Sequence, residues 1–238
     1  MDDFGGSLGG GLVAAAHELK TPLVLVRQLS LQLAETDDEK ARAEIIRRIR
    51  LTSERSLRLV DNLTRAARLE SAMFEMEPIL LSGLCREVVD ELAPLTTALD
   101  QEFQIKIGRS PLVAVGNRDL LRSLIMGLVD NALQYNRPGS AVEISTRIRR
   151  GEAELAVRDY GAATSLAEFR HLRDHLGSRA MPIAARPLSS GLGLLIAQKF
   201  AAAMNGRLSV ERHRAGGLTF RAHLPASQQL SFAGVEQS

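Results

Sequence analysis

The sequence predicts an α+β protein in which an N-terminal helical hairpin is followed by a two-layer α/β sandwich. In the first third of the chain, small or apolar side chains recur at alternating intervals of four and three residues, which is typical of helices that pack in bundles. Beyond Pro78, helical segments mix with short alternating segments that are typical of strands. Of the 238 residues 45% are hydrophobic but only 4% are aromatic, so the chain can bury a largely aliphatic core.

The hairpin is predicted from two amphipathic segments joined by a short turn. The seam of the first helix comprises Leu12, Ala16, Leu19, Leu23, Val26, Ser30 and Leu33. Asp37 or Asp38 can cap a second helix that runs to about Leu69. One hairpin alone buries too little apolar surface to be stable, so we expect a homodimer in which two hairpins form a four-helix bundle.

Composition shifts divide the chain into segments. We expect a flexible glycine-rich leader over residues 1–11, the hairpin over 12–76, the sandwich over 77–226 and a polar tail over 227–238. Residues 177–190 are expected to be irregular. Within the sandwich, helices are predicted over 83–99, 117–135, 164–176 and 192–204, and strands over 103–107, 112–115, 142–149, 154–158, 207–213 and 218–224. Asn117 is a candidate cap of the second of these helices, and residues 142–149 and 154–158 are expected to form a hairpin that turns at Gly151.

Composition also narrows the classes of function. A net charge of +2 does not require a nucleic-acid partner. The single cysteine, Cys85, excludes an internal disulfide framework, fits a reducing cytoplasm, and is expected to be a core residue rather than a nucleophile. The sequence shows neither a signal peptide nor an apolar run long enough to span a bilayer, so we expect a soluble cytoplasmic chain without membrane contact. A natural parent with an upstream sensor segment remains compatible with these features.

The first candidate site surrounds His17 in the first helix. A lone helical histidine is usually a surface residue, but its neighbours favour chemistry here. Glu18 can orient or deprotonate the imidazole, and Thr21 lies one turn further on the same face. Pro22 removes a helical hydrogen bond just after the histidine and should bend the helix. The segment from His17 to Leu23 resembles the phosphoacceptor box of sensor histidine kinases.

A second segment, Asp130 to Asn136, ends a long predicted helix. Without any resemblance to a family, this segment would be interpreted as the polar face of an amphipathic helix. It is similar to the N box of the histidine kinase ATP-binding domain, and the resemblance implies that Asn131 coordinates Mg²⁺ and that Tyr135 matches the motif. Gly127 and Gln134 depart from the family pattern, which often has Asn and Lys at these positions.

A third segment, Asp159-Tyr160-Gly161, follows a predicted strand. Such a segment is often only a turn, but it resembles the G1 box, which implies that Asp159 accepts a hydrogen bond from the adenine amino group. Ala163 stands where the family has a second glycine and should restrict the hinge of the ATP lid.

A fourth segment, Ser189 to Leu195, opens a helix and resembles the G2 box, the most specific signal in the second domain. Glycines there let the backbone approach phosphates at a helix N-terminus. The resemblance implies that ATP contacts Gly191, Leu192, Gly193 and Leu194. The aromatic F box is nearly absent, and Leu172 and Leu176 stand roughly where its apolar anchors are expected.

The four segments occur in the family's order and span nearly the whole chain. The resemblance to sensor histidine kinases implies a Bergerat-type (GHKL) ATP-binding fold. It also implies ATP- and Mg²⁺-dependent autophosphorylation of His17, assisted by Glu18 and Thr21, and phosphotransfer to an aspartate of a response regulator.

Two other hypotheses stay open at this point. The departures from the family pattern allow a catalytically weak nucleotide-binding scaffold or a response-regulator phosphatase. The arginine-rich second helix allows a DNA-binding regulator, but its arginines are interleaved with apolar residues at helical spacing, which favours a solvated bundle face.

Overall fold

The computed structural model describes residues 4–69, 74–108, 111–177 and 191–227, with all their side chains except those of residues 4–14, 17, 97 and 98. The helices are α1 (Phe4–Glu35), α2 (Glu39–Arg68), α3 (Leu81–Leu99), α4 (Arg118–Tyr135), α5 (Leu166–His175) and α6 (Leu192–Ala203). The strands are β1 (Glu77–Leu80), β2 (Glu102–Ile107), β3 (Val113–Gly116), β4 (Ala141–Arg149), β5 (Glu152–Arg158), β6 (Arg207–Arg212) and β7 (Leu218–Pro225). Among the described residues, no helix is both long enough and apolar enough to cross a membrane.

Helices α1 and α2 form the predicted hairpin. Asp38 caps α2, because its carboxylate accepts hydrogen bonds from the amides of Lys40 and Ala41 at 3.3 and 3.2 Å. Arg42 reaches back and donates to the carbonyls of Leu33 and Thr36 at 3.1 and 2.9 Å, which satisfies the C-terminal end of α1. The sequence therefore identified both the turn and one of the two candidate caps correctly.

The start of α1 differs from the prediction. The helix begins at Phe4, so the glycine-rich segment before Leu12 is helical where an irregular leader was expected. Glycine weakens a helix because it loses more backbone entropy than other residues. An existing helix nevertheless gains one hydrogen bond for each residue added, and this gain can offset the entropic cost.

The sandwich is built on a five-stranded mixed sheet with the order β2-β4-β5-β7-β6. Strands β2 and β4 are parallel and the other neighbours are antiparallel. The β4–β5 hairpin turns at Arg150 and Gly151, whose φ angles of 54° and 79° fit a two-residue hairpin turn at the predicted place. The predicted strands and helices are all present, which confirms the α+β class.

Strand β1 was not predicted. It pairs with β3 in a separate two-stranded sheet. It contains Pro78, which was expected only to mark the boundary between the hairpin and the sandwich. Proline lacks an amide donor and is therefore confined to edge strands or strand starts. A short edge strand that contains proline is difficult to distinguish from a linker by sequence alone.

The core lies between the large sheet and the helices α3, α4 and α6. Phe200 of α6 and Phe220 of β7 are its largest fully buried side chains. Part of α2 also packs against this core, through Leu51, Leu59, Leu63 and Ala66, so the hairpin rests directly on the sandwich. Cys85 is fully buried in α3, as predicted, and burial raises the pKa of its thiol to about 12.

This pKa predicts that Cys85 is inert in the folded protein. At pH 8 a thiol with a pKa of about 12 is ionised in about one molecule in ten thousand, whereas an unfolded cysteine is substantially ionised. Native protein should therefore react with a disulfide reagent at least ~1,000-fold more slowly than protein in concentrated urea. Absorbance of the released thiolate measures both rates. Equal rates would contradict the buried position.

Candidate functional site

A cavity of about 820 Å³ lies between the hairpin and the sandwich. Its volume is within the range of small-molecule sites. Its floor is formed by α4 and α6, and its roof by the two helices of the hairpin. Among the sequence-predicted site residues, those that line it are Glu18, Thr21, Asn131, Gly193 and Leu194.

Helix α1 contributes the phosphoacceptor segment. Glu18 and Thr21 line the cavity together with Pro22 and Leu25, which are all on one face of the helix. His17 lies within α1, immediately before Glu18, and its side chain lies outside the described part of the structure. The segment that resembles the phosphoacceptor box therefore faces the sandwich.

Helix α4 contributes the N-box segment. Asn117 caps the helix, as predicted, because its side chain accepts a hydrogen bond from the amide of Leu120 at 3.1 Å. Gly127, Asn131 and Gln134 then follow one another at helical spacing along the cavity floor.

The side chains that line the cavity suit a phosphorylated ligand that brings its own metal ion. The Nδ2 atom of the Asn131 amide is buried without a hydrogen-bond partner among the described residues, so it can donate a hydrogen bond to an oxygen of a ligand. The described residues include no cluster of three or more His, Cys, Asp or Glu side chains arranged to hold a metal ion. A magnesium ion that is held by few protein ligands and by phosphate oxygens fits this arrangement.

The start of α6 contributes the G2-box segment. Gly191 is the N-cap and has a left-handed backbone, with φ of 76°, and no side chain of the described residues caps the helix. A Cβ atom at Gly193 would meet no heavy atom within 4 Å, so the backbone is open toward the cavity. Gly191 and Leu192 are buried and do not line the cavity. Ser189 and Ser190, like the predicted irregular segment up to residue 190, lie outside the described residues.

The G1-box residues lie elsewhere, at the C-terminal end of α4. Asp159 is 1% exposed, and one of its carboxylate oxygens accepts hydrogen bonds from the amides of Gly161 and Leu218 at 3.0 and 3.4 Å. A Cβ atom on Gly161 would lie 2.2 Å from the carbonyl oxygen of Tyr135, so only glycine fits there. Asp159, Gly161 and Tyr135 do not line the cavity. The predicted site residues thus form two groups, joined by α4.

Two arginines of α2 were missed as site residues. Nε of Arg55 lies 3.0 Å from Oδ2 of Asp130, and Nη2 of Arg58 lies 3.4 Å from Oδ1 of the same carboxylate. Arg55 also donates a hydrogen bond to the Oε1 atom of Gln134. The expected solvated face is only part of their environment, because Arg55 and Arg58 also contact Asp130 of the sandwich. No signal in a single sequence links two residues that lie more than seventy positions apart.

Comparisons with known proteins agree with this geometry. Residues 116–228 match the family of histidine kinase-, DNA gyrase B- and HSP90-like ATPases. The sensor protein CutS of Streptomyces coelicolor is 30% identical over 213 residues, which cover 89% of this chain and 51% of that protein. The sensor protein kinase PmrB of Pseudomonas aeruginosa is 29% identical over 217 residues, or 90% and 45% of the two chains.

A solved structure of the Acinetobacter baumannii histidine kinase AdeS has the same fold. It superimposes with a TM-score of 0.60, covers 89% of this chain and 98% of that chain, and is 17% identical in sequence.

Residues 116–228 therefore form an ATPase domain of the histidine kinase, gyrase B and HSP90 class. The predicted resemblance to sensor histidine kinases is confirmed, since the chain is related to proteins of that family over about nine tenths of its length. The chain spans about half the length of the curated relatives it matches.

The contacts of Gly161 predict opposite effects for two glycine substitutions. Gly161→Ala forces a methyl group against the Tyr135 carbonyl and should lower the free energy of unfolding by about 1–3 kcal/mol. Gly127→Ala fills open space within α4 and should raise the same free energy by up to about 1 kcal/mol. Urea titrations followed by circular dichroism measure both. A neutral Gly161→Ala would show that Asp159 and Tyr135 are not held as described.

Proposed function

We propose that this chain is the core of a sensor histidine kinase, which transfers the γ-phosphoryl group of ATP to His17 and then to an aspartate of a response regulator. The observation that carries this proposal is the shared cavity. It places Glu18 and Thr21 of the phosphoacceptor segment opposite Asn131 and Gly193 of the ATPase domain. Similarity to sensor kinases over most of the chain supports the same reaction.

In this proposal the triphosphate of ATP lies along the cavity floor. At the start of α6, Gly193 and Leu194 would lie beside the phosphates, where the helix dipole favours negative charge, and the buried Gly191 and Leu192 would shape the turn into the helix. Asn131 would hold Mg²⁺ through its side-chain oxygen, and the ion, when bound, neutralises charge on the phosphates. Asp159 would accept a hydrogen bond from the adenine amino group, with Gly161 and Tyr135 holding its loop in place.

The residues of α1 carry the transfer itself. The Glu18 carboxylate accepts the proton of one ring nitrogen of His17, so the other nitrogen can attack the γ-phosphorus. A nitrogen–phosphorus bond forms, the bond between the γ-phosphorus and the bridging oxygen breaks, and ADP leaves with that electron pair. Thr21, which lines the cavity one turn after His17, would bind a phosphoryl oxygen during this transfer. In the phosphatase reaction, which removes phosphate from the response regulator, it would bind the attacking water.

The hairpin also supports the proposed homodimer. Several large apolar side chains on its outer surface are exposed, between 42% and 65%, in the single chain: Leu23, Leu31, Ile46, Leu57 and Val60. Apolar surface of this kind marks an interface. A second hairpin would cover it and complete a four-helix bundle, on which a response-regulator receiver domain would dock. In this view residues 12–76 serve dimerisation and phosphotransfer, residues 77–226 bind ATP, and residues 227–238 are a tail.

Autophosphorylation provides the test. Incubation with γ-labelled ATP and Mg²⁺ should give a label that is stable to alkali and labile to acid, as expected of a phosphohistidine. His17→Gln should abolish the label. His171→Gln, which removes an exposed histidine of α5, should retain it. Phosphoamino-acid analysis and scintillation counting measure the outcome.

Two other outcomes of the same experiment are informative. A persistent label on His17→Gln would contradict the role of His17. Binding of ATP without any phosphohistidine would favour the alternative of a nucleotide-binding scaffold or a phosphatase. Gly127 and Gln134 support this alternative, because neither residue brings a charge to the cavity floor.

A further inference from the structure

We propose that Arg55 of the hairpin is a phosphate-binding residue of the nucleotide site, supplied to the ATPase domain by α2. This inference rests on the proposed function and goes beyond it, because it places part of the triphosphate site on the hairpin.

Four charged side chains among the described residues line the cavity: Glu18, Asp130, Arg55 and Arg58. Both cations therefore come from α2, whereas α4 and α6 bring none. A nucleoside triphosphate carries several negative charges. Transfer of its γ-phosphoryl group to a new acceptor requires cationic or amide donors around the phosphates. Among the described residues that line the cavity, the sandwich offers neutral amide side chains and backbone amides, whereas the guanidinium groups belong to Arg55 and Arg58 of the hairpin.

The two arginines are not neutralised by their present partner. Arg55 and Arg58 share the single carboxylate of Asp130, at 3.0 and 3.4 Å, which leaves one net positive charge at this wall of the cavity. The Arg55 side chain is 42% exposed, against 24% for Arg58, so it has the better access to a ligand.

The geometry of Arg55 also suits a phosphate. Its Nε atom lies 3.0 Å from Oδ2 of Asp130 and its Nη2 atom donates to Gln134, so two residues of α4 hold the guanidinium at the cavity wall. Its Nη1 atom makes no hydrogen bond among the described residues, and arginine donors in a fixed fork match phosphate oxygens. Gln134 is neutral, so it orients Arg55 without cancelling its charge.

Nucleotide titration tests the assignment. Isothermal calorimetry on the full chain with Mg²⁺ should show that Arg55→Ala weakens binding of a non-hydrolysable ATP analogue by about 10- to 100-fold, the usual effect of losing a charge-assisted hydrogen bond. The loss should be smaller for ADP and absent for adenosine, since the contact is made to the terminal phosphates.

Arg65→Ala is the matched control. Arg65 lies on the same helix and pairs with Asp119 of α4 at 3.6 Å, but it does not line the cavity. Its substitution should leave all three affinities unchanged. Arg55→Lys should keep most of the affinity for the ATP analogue. Gln134→Lys added to Arg55→Ala should restore binding, because it returns a cation to the same place from α4.

Other results would overturn the proposal. Equal losses for the ATP analogue, ADP and adenosine would mean that Arg55 only holds the hairpin on the sandwich. Unchanged affinity for the ATP analogue in Arg55→Ala, with normal binding by wild type, would remove Arg55 from the site and leave the proposed function intact. Failure of wild type to bind the analogue at all would instead contradict the proposed function.

Discussion

The proposed nucleotide site depends on the contact of one carboxylate with two guanidinium groups. Asp130 of α4 receives Arg55 and Arg58 of α2, and this contact sets the hairpin against the ATPase domain. Without it, the apolar packing of α2 on the sandwich core would still hold the two parts together, but the two guanidinium groups would lose the carboxylate that positions them at the roof of the cavity. An ion pair that is partly exposed contributes little by itself, typically less than about 1 kcal/mol. Such an attachment can be released and formed again, which suits the proposed transfer of a phosphoryl group between the two parts.

Helix α4 organises both halves of the proposed nucleotide site. Its capped N-terminus fixes its direction, its middle forms the cavity floor, and its C-terminal end contacts the loop of Asp159. The side chain of Asn136 strengthens this last contact by accepting a hydrogen bond from the amide of Tyr160 at 2.8 Å. A nucleotide that extends from the Asp159 loop to the cavity would therefore follow one helix from the adenine to the γ-phosphate.

Local features of the fold could be predicted from the sequence because they depend on near neighbours. The Asp38 and Asn117 caps, the turn at Gly151 and the helix starting near Leu192 all follow from residue types at fixed offsets. The edge strand β1 was missed because its four residues include a proline.

The composition of the site was only partly predictable. Resemblance to a family identified Glu18, Thr21 and Asn131, but only the tertiary structure shows that they share one cavity while Asp159 lies outside it. The pairing of Arg55 with Asp130 and Gln134 depends on how two domains dock, which no periodicity encodes. A helical arginine that contacts another domain has the same local sequence pattern as one that faces water.

In the proposed arrangement the γ-phosphate end of the nucleotide lies between α1, α2 and α4. An ATP analogue with a photoreactive azidoanilide on its γ-phosphate can be irradiated on the full chain and its adducts mapped by mass spectrometry. We expect adducts on hairpin peptides around Thr21 and Arg55 as well as on α4, all suppressed by excess ATP. Adducts confined to the ATPase domain, with the hairpin labelled no more than in the sample containing excess ATP, would contradict this arrangement.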